Sequence, residues 1–316
     1  MKTISKYLLI PIFLFTALTT FSQENGDAIF NKVIHEYTLN EDGSSEYREY
    51  KELKLLSHLA FHRYFGETFI VYDPTYQEVE INEAYTLMAD GKRVEVPDNA
   101  FNEVLPRAAA HSAPYNHLRE MVITHTGLEV GASIFLDYTI KTKDGYMPAF
   151  MGEELIKGVV PIKDKKVIFH IPEGMELQYK MLNMRTSPEI TAAKGGNIYT
   201  FSFTALSAHS NYWGTDSELL PRLFFSTAKD LPRAYFPFVA QAAFTYQTTP
   251  AMGEAIEKIK AENKGDLKTA HAIQNMVINE IGSWRLSLKH TAFKCRTPEE
   301  VWKSNAGTKL EKTVLL

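Results

Sequence analysis

The feature that most constrains this chain is a change of period. Up to about Tyr246 apolar and polar residues alternate in short runs, as in SSEYREYKELKLLS (44–57) and QEVEINEAYTLM (77–88). Period two puts successive side chains on opposite faces of a strand, so these runs read as half-buried β-strands. After Tyr246 apolar residues recur at i, i+3, i+4 and i+7 instead, as in Met252, Ala255, Ile256 and Ile259. That spacing lines one face of a helix. The chain is therefore expected to be mainly β with a C-terminal α segment, an α+β chain.

Turn chemistry refines the β part. Asp90-Gly91 between QEVEINEAYTLM and RVEVP predicts a hairpin. MVITHTG (121–127) and SIFLDYTIKTK (133–143) read as another strand pair, joined through Gly127 to Gly131. Gly145-Tyr146-Met147-Pro148 is the expected boundary to a second strand-rich stretch. It holds KKVIFHIPEG, ELQYKMLNM and NIYTFSFTAL, the last entered through the turn 194–197, and then LPRLFFST. Pro221, Pro232 and Pro237 suggest edges and connectors. Two antiparallel sandwich-like domains are expected, 23–145 and 146–246, followed by helices over 247–316.

The helices carry start signals. Thr249 before Pro250 is an N-cap with proline at the first helical position. Asp266 can cap a second helix, with Leu267, Ala270, Gln274, Val277 and Ile281 inward and Gly282 ending it. Thr297-Pro298-Glu299-Glu300 is a capping box that opens a third. The closing stretch NAGTKLEKTVLL (305–316) begins a fourth.

The first residues read as an address and not as fold. Lys2 and Lys6 precede the apolar run Tyr7–Thr20, and Thr20-Phe21-Ser22 offers a small-x-small cleavage pattern. Residues 1–22 are expected to be a signal peptide. The competing reading, a membrane anchor, has only 14 residues to span with. The mature chain is expected to be exported, periplasmic or extracellular, with no membrane span. Its net charge of −4 and unclustered Lys and Arg argue against nucleic acid. Cys295 is the single cysteine, so no internal disulfide can form.

Chemistry-bearing motifs are sparse. His58 and His62 in HLAFH have the i, i+4 spacing of two ligands on one helix face, but no third ligand is evident. No metal or other cofactor is expected. Neither a G-x-S-x-G elbow nor a glycine-rich phosphate loop occurs. Tyr212 and Trp213 in HSNYWGTDS suit either stacking on a sugar or burial under a loop. Cys295 lies between Lys294 and Arg296, which favours a thiolate, yet it precedes the helix start at Thr297.

Two resemblances follow from longer runs. RTPEEVWKSNAGTKLEKTVLL (296–316) resembles the transglutaminase-like superfamily of papain-type folds. There a short helix precedes a Gly-Asp/Asn-Cys-x-Asp-Lys motif whose Cys opens a long buried helix. Gly307, Glu311 and Lys312 match that motif, while Thr308 replaces the acid or amide and Lys309 replaces the Cys. The His and Asp partners of such a triad would come later than Leu316. VYDPTYQEVEINEAYTLMADGKRVEVP (71–97), NAFNEVLP (99–106) and YNHLREMVITHTGLEVGASIFLDYTI (115–140) look like the β-rich domain of unknown function that precedes transglutaminase-like cores in exported bacterial proteins. The resemblances imply an incomplete core without a catalytic residue. They imply a non-catalytic binding or scaffold protein of the cell envelope, with protein, peptide or glycan as partner. The alternative is a transglutaminase-like cysteine peptidase or acyl-transferase, with Cys295 as nucleophile, or a fragment of such an enzyme.

Overall fold

The computed structural model describes residues 26–147, 149–209 and 219–316. The expected signal peptide and the Tyr212-Trp213 pair lie outside the described residues. In chain order the elements begin with β1 (Ala28–Leu39), β2 (Ser45–Leu55), β3 (Glu67–Tyr72), β4 (Gln77–Leu87), β5 (Arg93–Glu95), β6 (Phe101–Val104), β7 (Arg119–Thr124) and β8 (Ser133–Thr142). They continue with β9 (Met151–Leu155), β10 (Ile162–Pro172), β11 (Gln178–Leu182), β12 (Glu189–Ala193), β13 (Gly196–Leu206) and β14 (Arg222–Ser226). The last third holds α1 (Leu231–Val239), α2 (Pro250–Glu262), α3 (Asp266–Asn279), β15 (Gly282–Trp284), α4 (Pro298–Ser304), β16 (Ala306–Thr308) and α5 (Lys309–Leu315). The class is α+β, as the change of period predicts.

One eight-stranded sheet dominates, in the order β12-β13-β10-β1-β2-β8-β4-β5. Two three-stranded sheets, β11-β14-β9 and β3-β7-β6, accompany it. Phe169 and Phe201 of the large sheet form one core with Leu223 and Phe225 of β14. Leu136 and Tyr138 of the large sheet form another with Ile70 and Ile123 of β3 and β7. Both cores thus sit between the large sheet and one small sheet.

The β4–β5 hairpin forms as expected, with Leu87 opposite Arg93. Gly91 takes φ of 87°, where a side chain would be strained, and Asp90 Oδ1 accepts from Lys92 N at 2.9 Å. Two other expectations are corrected. MVITHTG and SIFLDYTIKTK do not pair: β7 joins β3 and β6, while β8 joins β2 and β4. Ile123 and Leu136 instead share one core from two different sheets. The large sheet does not break at Gly145. β1 pairs in parallel with β10, Phe30 opposite Ile162, so both halves share one sheet. A parallel neighbour so distant in sequence leaves no local turn signal.

The helical segment is partly as read. Thr249 caps α2 through Met252 N, and Thr297 caps α4 through Glu300 N. Pro232 and Pro237 are not connectors; both lie in α1, capped by Asp230, which accepts from Arg233 N at 2.8 Å. Gly265, not Asp266, is the N-cap of α3, and Gly282 opens β15 after the helix has ended. Val277 and Ile281 are buried as expected, but Leu267, Ala270 and Gln274 are exposed, because that stretch of α3 has little packed on it. Among the described residues no helix is long and apolar enough to cross a membrane.

Candidate functional site

The residues that matched a nucleophile motif come together at the start of α5. Thr308 is its N-cap and Glu311 stands three residues on, so the pair forms a second capping box. Thr308 N donates to Glu311 Oε2 at 2.7 Å, and Glu311 N donates to Thr308 Oγ1 at 3.3 Å. Lys309 is the first helical residue and is exposed. Gly307 is needed here: a Cβ would meet Val301 Cγ1 at 3.0 Å and Glu311 Cβ at 3.2 Å.

Glu311 is only 1% exposed and its carboxylate is saturated with donors. Tyr115 OH donates to Oε1 at 2.7 Å, Arg296 Nε at 2.9 Å and Arg296 N at 3.1 Å. Arg296 Nη2 donates to Oε2 at 3.1 Å and to the Ala306 carbonyl at 2.7 Å. The guanidinium also lies 4.5 Å from the Trp284 ring centroid. Burial opposes the charge on Glu311, but Arg296, the Thr308 N–H and Tyr115 outweigh it and hold the carboxyl below its usual range. Tyr115 belongs to the loop between β6 and β7, so this carboxylate ties the β part to the helical segment.

Lys312 also has a local task. Its Nζ donates to the Ile278 and Ile281 carbonyls at 3.1 and 2.7 Å and to Ser283 Oγ at 3.0 Å. It thereby satisfies carbonyls at the C-terminal end of α3. The acid and the lysine of the motif are thus structural in this chain, and the position between Thr308 and Glu311 offers an amine to solvent.

Cys295 is differently placed. Its N–H donates to Gln241 Oε1 at 2.9 Å, and its Sγ faces the Arg296 carbonyl at 3.7 Å. A carbonyl accepts a thiol proton but removes none. Burial pushes the thiol up to about 11, Glu311 adds to the effect, and Arg296 only partly opposes it. His290, the nearest histidine in sequence, is pushed down to about 4 by burial and by Lys289. His58 and His62 do share a face, with ring centroids 6.3 Å apart and nearly parallel. Among the described residues no group of three His, Cys, Asp or Glu side chains is placed to hold a metal ion.

Sequence reasoning missed Tyr115, which bonds Glu311, and Trp284, which meets Arg296 and Tyr115; neither carries a local mark of these contacts. The Thr308-x-x-Glu311 spacing is the signal that could have shown Glu311 to be a cap.

The family comparison bears on the β part, and the structural one extends into the helical segment. The family model described as "Domain of Unknown Function with solved-structure structure (DUF3857)" matches residues 41–210. The chain belongs to the DUF3857 family. The matched DUF3857 region runs from before β2 to beyond β13, and the α5 site lies outside it. A crystal structure from Parabacteroides distasonis ATCC 8503, described as that of a "putative protease", superposes with a TM-score of 0.79 at 32% identity. The likeness covers 92% of this chain and 57% of that one, so the present chain spans little more than half the length of that protein. No curated protein matches the chain.

Proposed function

We propose that this chain is a non-catalytic, transglutaminase-like protein that is exported and binds a protein, peptide or glycan at the cell envelope. The observation that carries this reading is Lys309 at the first position of α5, where the resembled family places its Cys. A helix N-terminus favours an anion and opposes an ammonium. An exposed lysine there is no substitute for a thiolate, because an amine attacks only when its proton is removed. Cys295, the other candidate, keeps its proton at neutral pH. Glu311, Arg296 and Tyr115 then act as a joint between the two parts of the molecule.

A second reading is favoured by the likeness to the Parabacteroides distasonis protein, whose description names a protease. In it the chain forms part of a cysteine peptidase or acyl-transferase with Cys295 as nucleophile. Hydrolysis of a mixed peptide library, with and without an added amine acceptor, separates the two. The expected result is no turnover by the chain or by its Lys309→Ala and Cys295→Ala variants. Turnover that disappears in Cys295→Ala would overturn the non-catalytic reading.

A further inference from the structure

A second buried carboxylate stands where sequence polarity would not put one. β9 reads MGEEL, and its alternation turns Glu154 inward and Leu155 outward: Glu154 is 6% exposed and Leu155 45%. Polarity alone favours the reverse, and a slip of one residue would exchange the two faces.

Two features oppose that slip. Gly152 lies flat on the Phe225 ring, where a Cβ would come within 2.5 Å of Cζ. The Glu154 carboxylate is met from β1 by His35 Nδ1 at 2.7 Å and by the Tyr37 hydroxyl. From β10 Lys165 Nζ approaches it to 3.7 Å and also donates to the Leu155 carbonyl at 2.6 Å. Lys165 thus grips both the side chain and the backbone of β9.

The polar run continues along the large sheet. Glu49 of β2 accepts from Tyr138 OH at 2.7 Å and Tyr47 OH at 3.0 Å, and faces Lys51 Nζ at 3.5 Å. Lys289 of the helical segment lies over the Tyr47 ring at 5.0 Å. Burial opposes the Glu154 charge, but His35, Lys165 and Tyr37 outweigh it and hold the carboxyl well below its usual range. The surrounding apolar contacts, such as Phe225 against Tyr37 and Phe169, attract without fixing register.

We propose that Glu154 is a register pin: its paired carboxylate holds β9 with Leu155 outward, and without it β9 and β14 open from the large sheet while that sheet stays folded. Hydrogen exchange on the full chain tests this. In Glu154→Gln, amides of β9 and β14 exchange faster by about tenfold or more, while those of β2 and β8 keep their rates. Unchanged exchange in β9 and β14, or equal acceleration in β2 and β8, overturns the proposal. If Glu154→Gln does not fold, Tyr37→Phe carries the same test. It keeps the ring stacked on Phe169 at 5.1 Å and removes one hydrogen bond, for about threefold acceleration confined to β9 and β14. Adding Leu155→Thr to Glu154→Gln removes the apolar competitor and slows β9 exchange again. No slowing would overturn the role in register.

Discussion

Glu154 and Glu311 are both carboxylates driven into the interior, and each meets a tyrosine and a cation. They differ in where those partners come from. Glu311 is served first by Thr308, three residues away, and by Arg296, fifteen away, and only then by Tyr115 across 196 residues. Glu154 takes His35 and Tyr37 across 119 and 117 residues. One carboxylate is a local cap that has acquired a long-range partner. The other has one charged partner nearby in sequence, Lys165 at 3.7 Å, but takes both its side-chain hydrogen bonds from β1, so it is ordered only once β1 and β10 are side by side. The comparison teaches that burial of a charge marks a junction in this molecule, and that the length of chain closed by its partners decides whether the junction can form early or only with the whole sheet.

Removing Glu311 breaks the comparison most severely. In Glu311→Ala the Arg296 guanidinium, the Tyr115 hydroxyl and the Thr308 N–H lose a common acceptor in a buried place. The expected cost is about 3–5 kcal/mol, the scale for deleting one partner of a buried ion pair. Urea unfolding followed by tryptophan fluorescence, to which Trp284 beside Arg296 contributes, should show an early transition of the helical segment ahead of the β part. A single transition at the parent midpoint would mean that Glu311 joins nothing.

Acid acts on both junctions together. Glu154, Glu311 and Glu49 all lie below the ordinary value of 4.5, Glu49 at about 2. A carboxylate with a lowered folded pKa stabilises the fold fully above its unfolded pKa, and that stability is lost as pH falls through the folded value. The unfolding midpoint should therefore begin to fall below about pH 6.5, where His125 and His290, each pushed down to about 4 by burial, take up a proton more readily when unfolded, and fall further between about 4.5 and 2 as the three carboxylates are protonated. Glu311→Gln should flatten the part of that fall that belongs to the helical segment. A midpoint that rises as the solution is acidified would contradict the pairing of all three groups.

What the sequence made legible follows the same division. Asp90-Gly91, Thr249-Pro250 and Thr297-x-x-Glu300 each settle a turn or a cap within a few residues, and each forms as read. The start of α5 was placed by the resemblance of 305–316 to a nucleophile helix, which put Lys309 at its first position, while the Thr308 cap that sets it went unread. The parallel β1–β10 pair, the separation of β7 from β8 and the inward turn of Glu154 were not legible. Each depends on a surface supplied from a remote part of the chain. In β9 the local pattern even points the wrong way, since Leu155 is the residue that alternation and polarity would bury. At the candidate site the carboxylate was visible and its long-range donor Tyr115 was not.

The smallest expected effect isolates the purely local contribution. Thr297 caps α4 by accepting from Glu300 N at 3.3 Å, while Glu300 Oε2 accepts from Thr297 N at 2.8 Å. Thr297→Ala removes the first bond, and the neighbouring carboxylate loses the Thr297 hydroxyl as a second donor at 2.8 Å. Pro298 at the first helical position still fixes the entry, because its ring sets φ and it has no N–H to satisfy. The expected loss is therefore about 1 kcal/mol, the usual scale for an N-cap exchanged for alanine. It should appear as faster amide exchange at Val301 and Trp302, whose bonds depend on the first turn, with no change in β9. Since α4 leads through β16 into the Thr308 cap, a loss near the Glu311→Ala value would show that the α4 cap sets the position of Glu311. The helical segment would then be one cooperative unit, and the division between local and long-range junctions would have to be drawn elsewhere.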